Sequence, residues 1–386
     1  MPNRPRVALL IETSNRYGRQ LLRGIREWEH EHGPWALRLV EQGRGATVPG
    51  WLKTWDGDGI IARAEHRGIA QALKATGIPV VDVSAAVERS MFPQVVTDSQ
   101  EVTALAFAHF RDRGLTNMAY CGASGFRWAA QRGRFFRDDV LSRNMTYHEF
   151  ELAERSPEAE LQAMGRWLKR LPKPVGVLAC YDIRGQQVLE ACYSAGLRVP
   201  DDVAVLGVHN DVLFCELCDP PLSSVIPDAT RAGALAAELL ADSMGKKKKV
   251  AVKAHMISPL GVATRQSTDI VAVPDERVAE AVRFIRREVC SGINVADVLR
   301  VVPMARTALE RRFRAVLGCT PRQLIERIRM ERVRAFLAET EATVAEVAER
   351  TGYTHSEYMS VAFKRATGET PREWRAKHRP SRMARS

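Results

Sequence analysis

The phrase "FRAVLGCTPRQL" (Phe313–Leu324) returns fifty residues later as "FKRATGETPREW" (Phe363–Trp374). Gly318 aligns with Gly368, Thr320 with Thr370, Pro321 with Pro371 and Arg322 with Arg372. In each copy threonine followed by proline marks a helix start: the hydroxyl caps free backbone N–H groups and the ring presets the first turn. The glycine two residues earlier is where a preceding helix stops, because glycine enters the left-handed region without steric cost. Upstream, "NVADVLRVV" and "TVAEVAERTG" each predict a short apolar helix. Helix, tight turn, helix is a helix-turn-helix unit. The repeat predicts two of them, joined by the Arg-rich helix "RQLIERIRMERVRAFLAE".

The second helix of each unit has two faces at 100° per residue. Leu309, Phe313 and Val316 share one face in the first unit, and Met359, Phe363 and Ala366 in the second. The opposite face carries Arg306, Thr307, Glu310, Arg311 and Arg314, and correspondingly Ser356, Glu357, Ser360, Val361 and Lys364. The Arg, Ser, Thr and Glu side chains of such a face can hydrogen-bond base edges in a major groove. Arg322 and Arg372, each beside a helix N-terminus, are placed to meet phosphate. Charge agrees with this reading. Residues 275–386 hold 23 basic and 15 acidic residues, a surplus of eight out of the chain's +11. A basic end on a near-neutral body suits a polyanion-binding module.

The first 270 residues alternate β-branched runs ("RVALLIE", "GIIA", "VVDV", "MAYCG", "VGVLAC", "VAVLGV") with amphipathic helices. That order predicts parallel α/β structure, and about ten strands in this length suit two lobes with a cleft at the strands' carboxyl ends. The dinucleotide, P-loop, metalloprotease and nucleophile-elbow motifs are absent from the sequence, which argues against an enzyme. "GASGF" after a strand reads as a plain strand-to-helix turn, and "KKKK" (Lys246–Lys249) as a solvated loop. Cys215 and Cys218 stand as a lone C-x-x-C, read as buried thiols beside a turn, so neither metal nor cofactor is expected. No run approaches the roughly 20 apolar residues of a membrane span, and a cytoplasmic location without membrane partners is expected.

Two resemblances sharpen these readings. "D-x-x-x-x-x-x-x-A-x-x-H-F-x-x-x-G" from Asp98, "R-x-x-x-F" from Arg132, and "AGLRVPDDVAVLGVHND" ending at Asp211 resemble the sugar-sensing domain of LacI-type repressors. "F-K-R-x-x-G-x-T-P-R-E-W-R" from Phe363 is the most specific phrase of the AraC-type DNA-binding domain, which the end of the chain resembles. The order of the two, with "WLKTWDGDGIIA", "FRWAAQR" and "RQLLRGI", is similar to the regulators of xylose operons. The expected fold is therefore a two-lobed periplasmic-binding-protein-like sensor over 1–265, a linker over 266–275, and an all-α double helix-turn-helix domain over 276–386. The resemblance implies a transcriptional activator working as a homodimer on double-stranded DNA with RNA polymerase. Its effector would be a small sugar, a pentose such as D-xylose.

It also implies base contacts from the polar helix faces named above. In the first unit Pro303 stands where the family's turn has glycine, and Ala305 where it has a capping serine; the second keeps Gly352 and Thr354. For the effector, Arg132 offers a bidentate donor and Trp128 an apolar platform for the C–H side of a sugar. Asp98, Asp182 and Asn210 follow strands, and Tyr17 and Arg19 open the first helix. His209 takes a place where the family has aspartate, exchanging a two-oxygen acceptor for one donor and one acceptor. Two rival readings stay open from sequence: a carbohydrate-processing enzyme with a regulatory helical tail, and a repressor whose sensor only dimerises.

Overall fold

In the computed structural model, residues 4–40, 47–86, 90–150, 156–245, 251–270, 272–273, 275–340 and 342–378 are described. The loop Lys246–Lys249 lies outside them. The chain opens with β1 (Arg6–Leu10), α1 (Arg16–His32), β2 (Ala36–Leu39), β3 (Gly59–Ala62), α2 (Arg67–Ala75), β4 (Val80–Asp82) and β5 (Gln94–Thr97). Next come α3 (Ser99–Arg111), β6 (Asn117–Cys121), α4 (Arg127–Leu141), β7 (Thr146–Glu149), α5 (Pro157–Arg170) and β8 (Val175–Ala179). These lead to α6 (Asp182–Ala195), β9 (Val203–Val208), α7 (Val212–Leu217), β10 (Ser223–Ile226), α8 (Ala229–Met244), β11 (Ala254–Ile257) and β12 (Gly261–Ala263).

The strands form two six-stranded sheets, ordered β11-β5-β4-β3-β1-β2 and β12-β10-β9-β8-β6-β7. All pairs are parallel except β10 with β12. Every residue of β8 and β9 is buried, as expected for strands covered by helices on both faces. The chain crosses between lobes three times, after β5, β10 and β11, so the lobes share a three-stranded hinge. "GASGF" forms the expected β6-to-α4 turn, with Gly125 at φ 78°.

In the first lobe α1 lies against α8 at glycine contacts. A Cβ on Gly24 would come within 1.8 Å of Thr230 O, and one on Gly233 within 2.0 Å of Leu21 O. Both are backbone atoms, so neither can yield. Gly24→Ala is expected to lower stability by about 3 kcal/mol, the upper end of overpacking costs, measured by thermal unfolding.

The remaining helices are α9 (Glu276–Glu288), α10 (Val295–Val301), α11 (Arg306–Leu317), α12 (Pro321–Glu339), α13 (Val344–Arg350), α14 (Ser356–Thr367) and α15 (Pro371–His378). Gly318 (φ 67°) and Gly368 (φ 81°) end α11 and α14 in the left-handed region. Thr320 begins α12 with a capping box to Gln323, and Thr370 pairs in the same reciprocal way with Glu373. Two cores result. Leu309, Phe313 and Leu317 of α11 pack with α9, α10 and the start of α12; Met359 and Phe363 of α14 pack with Val333, Leu337 and Val347. Ala366, expected on the apolar face of α14, is exposed, because it sits at the helix's last turn beyond the reach of that core.

The two turns differ by one residue. Val302, Pro303, Met304 and Ala305 link α10 to α11, whereas five residues, Thr351 to His355, link α13 to α14. Gly352 takes φ 78°, and a Cβ there would lie 2.5 Å from Gly292 N, so glycine is required twice over. Pro303 follows α10 at the corresponding place without a positive φ. Thr354 does not cap α14: His355 holds the N-cap position, and neither it nor Ala305 provides a side-chain cap.

Candidate effector cleft and nucleic-acid interface

The cleft opens between the carboxyl ends of the two sheets. Tyr17, Arg63, Trp128, Arg132 and His209 line it, together with Asn15, Ser84, Thr97 and Ser99. Two guanidiniums flank a row of three rings across it. The Arg63 guanidinium lies 5.7 Å from the Tyr17 ring, Tyr17 lies 5.2 Å from His209, and His209 lies 6.4 Å from Trp128. Trp128 in turn lies 5.4 Å from the Arg132 guanidinium. Tyr17 Oη also sits 3.2 Å from Thr97 Oγ1. This series joins α1 and β3 of one lobe to α4 and the β9–α7 loop of the other. Flat apolar faces beside fixed donors suit a sugar ring.

His209 holds φ 110°, a strained value for a side chain of this size, and its N–H donates to Val225 O at 3.0 Å. The backbone there is held open by the sheet so that the imidazole faces the cleft.

The structure brings Tyr17, Trp128, Arg132 and His209 together, and sends the other four candidates to different work. Asp98 caps α3, its Oδ1 accepting from Gln100 N and Glu101 N at 2.9 and 3.1 Å. Arg19 is half exposed and pairs across the lobes with Asp211 at 3.5 Å, which also accepts from Arg16 N. Asn210 is buried, its Oδ1 accepting from Arg265 Nη2 at 2.9 Å. Asp182 is buried beneath the same loop, accepting from Ser224 Oγ at 2.5 Å and Asp211 N at 2.9 Å. Missed from sequence were Arg63, Ser84 and Thr97. Each lies at or just past the end of a strand, which is the signal that could have found them.

Burial pushes the Asp182 carboxyl up to about 7, against the pull of its Ser224 and Asp211 hydrogen bonds. Its folded pKa is thus raised above the unfolded value of about 3.9. Stability from this group is complete below that unfolded value and is lost as pH rises through about 7. Asp182→Asn should leave stability at pH 3.5 nearly unchanged and raise it progressively as pH climbs from about 4 to 7, by a few kcal/mol at pH 8, as read from urea unfolding at pH 3.5 and 8.

On the helical domain, Arg306, Thr307, Arg311 and Arg314 are exposed along α11, with Glu310 pairing to Arg306 at 3.0 Å. On α14, Glu357, Val361 and Lys364 are exposed, and Ser360 donates its hydroxyl to Ser356 O at 2.8 Å. Tyr358, 68% exposed beside this face, was not singled out by the sequence pattern. Arg322 and Arg372 are exposed in the first turns of α12 and α15.

Residues 6–100 match the family model of the XylR N-terminal domain, 107–268 that of the periplasmic binding protein-like domain, and 298–377 that of a helix-turn-helix domain. The xylose operon regulatory protein of Escherichia coli (strain K12) is 31% identical over 383 residues, covering 96% of this chain and 97% of that one. The chain belongs to the xylose operon regulatory protein family. The Haemophilus influenzae member is 28% identical over 382 residues, covering 96% and 98%. A solved xylose-binding transcription activator XylR matches with TM-score 0.63 at 29% identity over 97% of this chain and 98% of that one. This xylose operon regulator homologue is a sugar-responsive transcriptional regulator with a helix-turn-helix DNA-binding domain, and not an enzyme. Among the described residues no helix is long and apolar enough to cross a membrane. Cys215 and Cys218 are buried thiols at the end of α7.

In this family member the sensor and the DNA reader meet at a charged, partly buried junction. Asp112, just after α3, pairs with Arg327 of α12 at 2.6 Å. Arg286 of α9 donates to Asp112 O at 3.0 Å and to Ile270 O at 2.6 Å. Arg113 donates to Thr268 O at 2.6 Å. Burial pushes the carboxyls of Asp112 and Glu331 upward, against the pull of the surrounding arginines. The start of the segment expected as a linker is embedded: Ser267 and Thr268 are fully buried, and Ser267 Oγ donates to Val205 O. Polar side chains tolerate such burial because each finds a backbone or hydroxyl partner.

Proposed function

We propose that this protein is a cytoplasmic, homodimeric activator that binds a sugar of about pentose size in the Tyr17–His209–Trp128 cleft. Bound effector fixes one lobe arrangement, and the dimer presents four recognition helices to DNA so that RNA polymerase is engaged. The name of the solved relative calls it xylose-binding, so D-xylose is the first effector to try. The observation that carries the proposal is the loop His209–Asp211. His209 faces the cleft, Asn210 is tied to Arg265, and Asp211 is tied to α1 of the other lobe. From Arg265 the chain runs directly into the buried segment beside Arg113 and Asp112. A change in lobe angle is thereby felt at the contact with Arg327. Ligand coupling requires such differential contact in two states.

A thermal-shift screen of the whole protein against pentoses, hexoses and polyols tests the effector half. An effector at 100 times its Kd should stabilise the sensor by about 2.7 kcal/mol, whereas no shift with any of these compounds would count against a sugar of this size as the effector. The DNA half is tested on α14. Ser360 and Glu357 present acceptor oxygens suited to the exocyclic amino groups of cytosine and adenine. Glu357→Ala and Ser360→Ala should each change base preference in one half-site, costing about 1–3 kcal/mol on the preferred operator. Arg372→Ala should weaken all sequences alike. Binding-site selection that returns the same consensus for both α14 variants would remove this face from the interface.

A further inference from the structure

The cleft holds a buried guanidinium that no carboxylate among the described residues matches, and this deepens the reading of it as the effector site, on which the inference rests. Arg63, Arg132 and His209 line it, and among the described residues that line it none is Asp or Glu. The acids nearby are engaged elsewhere: Glu65 pairs with Arg63 at 3.1 Å, Asp211 with Arg19, and Asp182 accepts from Ser224 and Asp211. Arg63 is therefore offset. Arg132 is not. It is 4% exposed, one terminal nitrogen donates to Cys180 O, and its Nε is buried with no acceptor. Among the described residues no carboxylate forms an ion pair with it, and its other close neighbour is the face of Trp128.

A buried guanidinium lacking a counter-charge lowers its free energy when an anion arrives. The hydroxyls of a neutral sugar supply acceptors but no charge. A carboxylate or phosphate supplies both, in the fork geometry that a guanidinium matches. His209 adds a ring that can donate toward the same anion. Tyr17 and Trp128 remain to flank the sugar's C–H faces. We infer that the effector is a sugar bearing an anionic group, a sugar-acid carboxylate or a sugar phosphate, with that group held by Arg132 and His209.

Calorimetric titration of the full-length protein with two matched pairs tests this. D-Glucuronate is D-xylose with a carboxylate added at C5, and D-ribose 5-phosphate is D-ribose with a phosphate added. At least one anionic probe is expected to bind tenfold or more tighter than its neutral partner, and the tighter anion identifies the group recognised. His209→Asp, which sets a carboxylate in the cleft, should shrink that ratio or reverse it toward the neutral sugar. Arg132→Gln, checked for folding by circular dichroism, should lose the anion selectively. Neutral sugars binding as tightly as both anions would overturn the inference while leaving the effector cleft standing. The same holds for an anion preference left untouched by both substitutions. Absence of binding by all four probes, in protein that still footprints DNA, would instead count against the cleft as a sugar site.

Discussion

Phe363→Ala is expected to unfold the second helix-turn-helix unit and leave the first unit and the sensor in place. Phe363 is fully buried and meets Trp374 edge-on at 5.6 Å, in a core shared with Val333, Leu337, Val347 and Met359. Truncating a buried phenylalanine costs about 3–5 kcal/mol, because the cavity collapses only in part. At about 0.05–0.15 kcal/mol per residue, a unit of this size has little more than that to lose. Its core is separate from the one around Phe313, so the damage should stay local. The intact reader should protect two DNA patches about 34 Å apart, one for each recognition helix in successive major grooves. In Phe363→Ala one patch should vanish, with the overall affinity and its salt dependence both reduced. Footprinting with urea unfolding decides it. Two undiminished patches and an unchanged unfolding curve would show that the second core does not support the reader.

Asp112→Ala should disconnect the sensor from the reader. Asp112 is 5% exposed, and removing it takes away the carboxylate that pairs with Arg327, leaving Arg327, Arg113 and Arg286 with Glu331 but one acid fewer. Breaking one side of a buried pair costs about 3–5 kcal/mol, since the remaining charge stays desolvated. The intact pair need not stabilise the protein, because burial already opposes ionisation of Asp112. Its value lies in fixing how α12 sits on the sensor. Calorimetry should show one transition splitting into two, and the DNA affinity should cease to respond to effector. Asp112→Asn should do less: its amide oxygen can still accept from Arg327, whereas the Arg286 bond, which goes to the backbone oxygen, survives either change. A single transition with an unaltered effector response would rule out this junction as the coupling point.

The sequence was enough to establish the two reading units, because what builds them is local. Thr320-Pro321, Thr370-Pro371, Gly318 and Gly368 act within one turn of their own position, and capping chemistry does not depend on distant partners. Helix periodicity likewise placed Phe313 and Phe363 in cores and left Arg311 and Glu357 outside. The two-lobed sheet was legible from β-branched runs between helices for the same reason. Tertiary structure decided which polar residues at strand ends face the cleft. Asp98 and Asp182 follow strands just as Arg63 and Thr97 stand at strand ends, yet the first two turn to backbone N–H groups or a hydroxyl and the others line the cavity. That choice depends on which donors the folded chain brings within about 3 Å, and those donors come from residues far apart in sequence. The junction was hidden for the same reason. Asp112 and Arg327 are 215 residues apart, and only the packing of α12 against the sensor makes them a pair.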